Sequence, residues 1–139
     1  MARPRFQVAD TAQQVVGGFL LAGPFVVTAE VWDLARNMGT VHTALTVALV
    51  MAIGYGALYR ADADRDPDRE QEVAGIPLRF ISLMAVAFGS VAMLALLFTA
   101  PVTFLGDLGA GQRLAVSARA IAVGSIFSVV GAATADSVF

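Results

Sequence analysis

The chain of 139 residues contains no cysteine, no lysine and a single histidine, His42. Without cysteine it forms no disulfide and offers no thiolate ligand for zinc or an iron–sulfur cluster. Without lysine it lacks the amine that a retinal Schiff base of the rhodopsin kind requires. One histidine could bind a metal only together with carboxylates or across subunits, so we expect no metal and no cofactor.

Apolar residues are abundant: 58% of the chain is hydrophobic and the mean hydropathy is +0.74, whereas roughly 45–50% is usual for a soluble domain. Stretches of about 20 mostly apolar residues are long enough to cross a bilayer as helices. Four such stretches are present, at about 14–34, 41–59, 79–100 and 114–135. The sequence therefore predicts an all-α, multi-pass protein of the cell membrane, a single domain with four transmembrane helices.

The first stretch also resembles a signal peptide, because Arg3 and Arg5 precede it. However, Asp10, Gln13 and Gln14 lie between them and an apolar run that is long for a signal sequence. We therefore predict a mature helix, with cleavage as the alternative.

Little chain remains for a soluble catalytic domain, since the only sizeable polar stretch is the acidic loop 60–77. This loop has Asp at alternate positions but lacks the Gly and Glu of an EF-hand, with Pro67 and Val73 at those places, so a solvated connector is predicted. No aspartate pair at helix centres, Ser/His dyad or zinc-binding helix motif is seen. We expect neither an enzyme nor a nucleic-acid partner.

Charge distribution predicts the orientation. All nine basic residues are Arg, and Asp outnumbers Glu by eight to three, a composition that suits a halophile. Six Arg residues lie in the N-terminus and the 60–79 region, against Arg36 and Arg113 in the other connectors. Because Arg and Lys concentrate on the cytoplasmic side, both termini and the loop are expected there, with subunits inserted in parallel.

Small residues recur at every fourth position in two of the stretches. They are Ala44, Ala48, Ala52 and Gly56 in the second, and Ala120, Gly124, Ser128 and Ala132 in the fourth. Such faces let helix backbones approach closely in a bilayer. They favour either a tightly packed bundle or a subunit interface, in a parallel homodimer or higher homo-oligomer.

Ionisable residues in apolar stretches are costly and are taken as functional by default. Glu30 lies about one turn inside the end of the first stretch, with Asp33 on the same face. Arg119 lies at a matching depth in the fourth stretch, and His42 opens the second on the same side. These four residues are predicted to form an outward-facing polar cluster, with Glu30 paired to Arg119. Thr28 is counted with them as a candidate for the ion path or the cluster.

The first stretch also carries a kink signal. Pro24 leaves the carbonyl of Leu20 without a helical partner, and Thr28 is placed to bond back to the carbonyl of Pro24. Bent membrane helices often border cavities. Pro24 is predicted to kink the helix. The kink either serves the packing of the helices or borders a path for ions or protons.

The segment Gly17–Trp32, with the pattern Pro-Phe-x-x-Thr-x-Glu-x-Trp, resembles the first helix of a prokaryotic family of small integral membrane proteins of unknown function. Longer members look like two fused units. The resemblance implies that two four-helix units assemble, with Glu30 in a matching place in each.

Two functions are predicted from these features. The first is a small homo-oligomeric channel or transporter for cations or protons, with Glu30 lining the path and Arg119 or His42 modulating its charge. The second is a non-transporting membrane scaffold or subunit of a larger complex, in which Glu30 and Arg119 form a structural ion pair.

Overall fold

A computed structural model describes residues 8–59, 72–73 and 75–138. These residues form six helices and one short antiparallel hairpin, which turns at Gly75 with a positive φ of 83°. The elements are α1 (Val8–Val26), α2 (Ala29–Asn37), α3 (Thr40–Tyr59), β1 (Glu72–Val73), β2 (Ile76–Pro77), α4 (Leu78–Leu97), α5 (Ala100–Leu105) and α6 (Ala110–Val138). The predicted all-α class is confirmed, while most of the acidic loop lies outside the described residues.

Three of the helices, α3, α4 and α6, are long and apolar enough to cross a membrane. The pair α1 and α2 adds a fourth span if it is counted as one broken segment. Compared with the predicted stretches, α4 ends at Leu97 and α6 begins at Ala110. The chain is therefore compatible with a multi-pass membrane protein, whereas the exact number of spans and the side of the termini stay predictions.

The first helix differs from its prediction as a single kinked helix over 14–34. Instead α1 begins at Val8 and ends at Val26, and α2 leaves it at an angle of 79°. Pro24 remains inside the last turn of α1, and the chain leaves helical geometry only at Val27 and Thr28. The missing N–H of the proline weakens the final turn, and the helix breaks just beyond it.

The long helix α6 is the centre of the bundle and packs against α1, α3 and α4. Its predicted face of small residues is buried, with Ala120 at 2% exposure and Ser128 and Ala132 at 0%. A methyl group at Gly17 of α1 would overlap the carbonyl of Gly131 in α6. Small residues of α1 and α6 therefore let the two helix backbones come into direct contact, and the face of α6 packs within the bundle, one of the two outcomes that its spacing favoured.

The second face of small residues has the opposite environment. Ala44, Ala48 and Ala52 of α3 are exposed and Gly56 is half-buried. The other side of α3, which carries Val50, Gly54 and Leu58, is buried where the helix packs against α6 and α4. The small-residue face of α3, defined as Ala44, Ala48, Ala52 and Gly56, thus faces away from the bundle.

The helices alternate in direction, so the bundle has two distinct ends. The end called here the α2 end contains α2, α5 and the first turns of α3 and α6. The opposite end, called the Asp136 end, contains the first turns of α1 and α4 and the last turns of α6. Each end holds its own group of polar side chains.

Candidate functional site

The bend between α1 and α2 is held by side chains that bind the last carbonyl groups of α1. The Thr28 hydroxyl donates to the carbonyls of Pro24 at 3.1 Å and Phe25 at 2.9 Å. The indole N–H of Trp32 donates to the carbonyl of Val26 at 3.0 Å. The predicted bond from Thr28 to Pro24 is confirmed. Three residues of the motif, Pro24, Thr28 and Trp32, therefore have a structural role in the bend.

Helix α2 is amphipathic and lies across the α2 end of the bundle. It buries Val31, Trp32 and Ala35 against the core, and the Trp32 ring stacks on Phe104 with centroids 5.7 Å apart. Trp32 is only 2% exposed and packs within the protein. The indole fills space between α2 and α5, which a straight first helix would not have brought together.

Glu30 lies on the outer face of α2, together with Asp33 and Asn37, and all three are exposed. Helix α2 turns by 79° from α1. Its exposed face carries these polar side chains, and its buried face packs against the bundle. Glu30 therefore lies on a separate helix beyond the bend and not on a straight continuation of α1.

The predicted pair of Glu30 with Arg119 is not formed in the single chain. Among the described residues, neither side chain has a hydrogen bond or an ion pair with the other. Arg119 is half-buried and lines a cavity of about 330 Å³ beside α2. The cavity, called here the Arg119 pocket, is lined by Arg36, Leu108, Gln112, Ala115, Val116 and Arg119.

His42 has a local structural role at the start of α3. Its Nδ1 accepts a hydrogen bond of 3.0 Å from the backbone N–H of Gly39, and the Thr43 hydroxyl donates to the carbonyl of Gly39 at 2.9 Å. Helix starts leave N–H groups without partners, and a side chain in the first turn can satisfy one of them. His42 therefore caps α3 through its Nδ1 atom, with no hydrogen bond to Glu30, Asp33 or Arg119 in the described part of the chain.

An exposed ion pair fastens α2 to the loop after α5. The Arg36 guanidinium bonds both carboxylate oxygens of Asp107, at 3.1 and 2.6 Å, and the carbonyl of Phe104 at 2.7 Å. These hydrogen bonds from Arg36 hold the pKa of the Asp107 carboxyl below its ordinary value. The sequence had suggested for Arg36 only a role in orientation. Its charge is in fact offset by Asp107 beside the Arg119 pocket.

A buried ion pair joins α4 to α6 at the Asp136 end. The guanidinium Nη1 of Arg79 bonds both carboxylate oxygens of Asp136, at 2.8 and 3.0 Å. Each residue is only 5% exposed. Asp10 of α1 lies 3.4 Å from Nη2 of the same guanidinium. Charges in such a setting need partners, and here they come from three different helices.

Neutral side chains extend this contact into a network. Gln14, which is fully buried, donates to Asp136 at 3.3 Å and accepts from the Ser82 hydroxyl at 2.7 Å. Ser82 in turn lies 3.0 Å from the hydroxyl of Thr11. The group of Asp10, Thr11, Gln14, Arg79, Ser82 and Asp136 is called here the Asp136 network. It connects α1, α4 and α6 through charged and neutral hydrogen bonds.

Sequence reasoning missed this network, because Arg79 was counted only for orientation at the start of the third stretch and Asp136 lies just beyond the end of the fourth. Two signals could have found it. The series Ala120, Gly124, Ser128 and Ala132 continues by one step of four to Asp136. Asp10 and Gln14 stand four residues apart on one face of α1. The spacing of these residues along α1 and α6 therefore indicated a shared buried face, although their places near the helix ends suggested exposure to water.

Hydroxyl groups continue the polar contacts along the middle of α6. Ser90 of α4 and Ser128 lie 2.7 Å apart, and Ser128 also donates to the carbonyl of Gly18 at 3.2 Å. Ser125 donates to the carbonyl of Ile121 within α6 itself, at 2.6 Å. Interhelical bonds of this kind contribute about 0.6 kcal/mol each in a membrane protein. The seam between α1, α4 and α6 is therefore closely packed as well as polar.

Comparison of the chain with protein-family models, curated proteins and solved structures finds no match. The resemblance of the Gly17–Trp32 segment to a membrane-protein family thus stays a prediction. The geometry of the described residues is what supports any statement about function.

Proposed function

We propose that the protein is a homo-oligomeric membrane channel or transporter for cations or protons, with its path between parallel subunits and Glu30 at the outer mouth. The observation that carries the proposal is the state of Glu30: exposed on the polar face of α2 and without an ion pair or hydrogen bond among the described residues. Asp33 extends the same acidic face. Acidic side chains repeated around a symmetry axis attract and select cations.

The packing of the single chain supports a path between subunits. The backbones of α1 and α6 touch at Gly17 and Gly131, and the Asp136 network occupies one end of the same seam. A path within one chain would have to open these contacts. The small-residue face of α3 is exposed and suits close packing of a neighbouring helix. The cytoplasmic side of both termini belongs to the same proposal and rests on the Arg distribution.

A non-transporting scaffold is the second candidate, and one observation favours it. Ion pairs stabilise both ends of the bundle: Arg36 of α2 pairs with Asp107 in the loop after α5, and Arg79 of α4 pairs with Asp136 of α6. A unit fastened in this way can support a partner protein without moving. The Glu30–Arg119 ion pair that the sequence suggested for such a scaffold is not formed in the single chain. The scaffold predicts no flux and no functional loss when Glu30 is changed.

Replacing Glu30 with glutamine is expected to lower cation or proton flux by about tenfold, the effect of losing roughly 1.4 kcal/mol of attraction. The measurement is flux into liposomes that contain the purified protein, driven by a potassium or pH gradient and read by an enclosed dye. Glu30→Asp should retain most of the flux, and Asp33→Asn should cause a smaller loss.

Stability is the internal control, since Glu30 is exposed and its substitution should change the free energy of unfolding by no more than about 0.5 kcal/mol. Equal flux in the wild type and Glu30→Gln would reject the role of Glu30. An absence of flux in the wild type with several cations and with protons would reject transport and favour the scaffold.

A further inference from the structure

We propose that the Arg119 pocket is a binding site for an anionic phosphate group, which in the membrane is supplied by a phospholipid headgroup. The pocket, at about 330 Å³, falls in the size range of small-molecule sites. Its wall combines two arginines and Gln112 with the apolar side chains of Leu108 and Val116. This inference does not depend on ion transport.

The charges around the pocket favour an anion. Arg36 is offset by Asp107, to which it makes two hydrogen bonds. The neighbouring Arg113 directs its guanidinium to the carbonyls of Leu105 and Leu108, at 3.4 and 3.2 Å, at the end of α5. Arg119 has no hydrogen bond or ion pair among the described residues. Arg119 is therefore the arginine in the pocket wall whose N–H groups are available to a ligand. A guanidinium group can donate two parallel hydrogen bonds to the oxygens of a phosphate.

The local backbone adds to the positive potential. Gln112 lies in the first turn of α6, where N–H groups and the helix dipole favour negative charge. Arg119 follows nine residues after the start of the helix, which is about 13 Å along the axis. Long arginine side chains reach from such a depth toward the headgroup region. The pocket thus receives polar donors from Gln112 and Arg119 of one long helix.

The apolar border of the pocket favours a lipid as the source of the phosphate. Beside Ala115, the surface of α6 exposes Leu114 at 74% and Ala118. An acyl chain can cover these side chains while its headgroup enters the pocket. Free phosphate would satisfy Arg119 but would leave this apolar surface without a contact.

Native mass spectrometry of the purified protein tests the proposal with phosphatidylglycerol and with phosphatidylcholine as probes. Wild-type protein should retain phosphatidylglycerol about tenfold more strongly than Arg119→Gln, as expected for loss of one charge-assisted contact. Arg119→Lys should retain an intermediate amount, since it keeps the charge but loses the planar donors. Phosphatidylcholine should show the smaller dependence on Arg119.

The control is Arg113→Gln, which removes the same charge from the same helix outside the pocket and should keep the binding of phosphatidylglycerol. A separate titration with inorganic phosphate, read as a shift in melting temperature, identifies the source. A shift that requires Arg119, without selective retention of phosphatidylglycerol, would support a site for free phosphate. Equal retention by wild type and Arg119→Gln together with no phosphate shift would overturn the proposal, as would equal losses in Arg119→Gln and Arg113→Gln.

Discussion

Replacing Asp136 with alanine is expected to lower the free energy of unfolding by about 3–5 kcal/mol, the usual cost of removing one partner from a buried ion pair. Arg79 would keep a guanidinium that is only 5% exposed, and Gln14 would lose an acceptor for its side-chain amide. Asp10, at 3.4 Å from the same guanidinium, would compensate only in part. The measurement is unfolding in detergent micelles by sodium dodecyl sulfate, followed by circular dichroism.

Two variants separate the ion pair from a general loss of charge. Asp33→Ala removes an exposed carboxylate and should change the free energy of unfolding by no more than about 0.5 kcal/mol. The double variant Arg79→Met with Asp136→Leu should recover part of the lost stability, because replacing a whole buried pair with apolar groups is often neutral or stabilising. The recovery is only partial because Gln14 and Asp10 still lose a partner. A double variant as unstable as the sum of both single variants would contradict coupling between Arg79 and Asp136.

Replacing Gly17 with alanine is expected to lower the free energy of unfolding by about 1–3 kcal/mol, the usual cost of overpacking. The added methyl group would overlap the carbonyl of Gly131 and the side chain of Ala135. The helices α1 and α6 would have to separate, which would also loosen the hydrogen bond from Ser128 to Gly18. The same detergent titration measures the change.

Gly89→Ala in α4 is the control, because an added methyl group there meets no atom within 4 Å beyond its chain neighbours and its own helix backbone. At this open position alanine should stabilise by about 0.5–1 kcal/mol through its helix propensity. The two substitutions are therefore expected to have opposite signs. A stabilising effect at both positions would show that α1 and α6 do not pack with Gly17 against Gly131.

The packing of α6 could be predicted from the sequence because it depends on one regular spacing. Four small residues at intervals of four marked the buried face correctly. Asp136 is the next member of that series, but its place near the end of an apolar stretch suggested water instead. The sequence did not reveal the partner of Asp136, because Arg79 is distant along the chain and contacts Asp136 only when α4 packs against α6.

The bend was predictable in part. Pro24 and Thr28 indicated a weak point in the first helix, and the bond between them is present. The angle and the direction of α2 depend on tertiary packing, in which Trp32 enters the core and stacks on Phe104. One sequence signal was available: Glu30, Asp33 and Asn37 recur with helical spacing and mark a polar face. In a straight first helix, Glu30 would lie at the same depth in the membrane as Arg119, which was the reason for predicting an ion pair. The bend between α1 and α2 removes that reason.

The proposed position of Glu30 at the outer, aqueous mouth is tested most directly by thiol labelling, since the chain has no cysteine of its own. Single variants Glu30→Cys and Leu20→Cys are compared in right-side-out vesicles with a membrane-impermeant maleimide. Leu20 is 68% exposed in the structure but lies on α1, where lipid should cover it. We expect rapid labelling of Glu30→Cys without detergent and labelling of Leu20→Cys only after detergent is added. Protection of both thiols until detergent is added would contradict a surface position for α2.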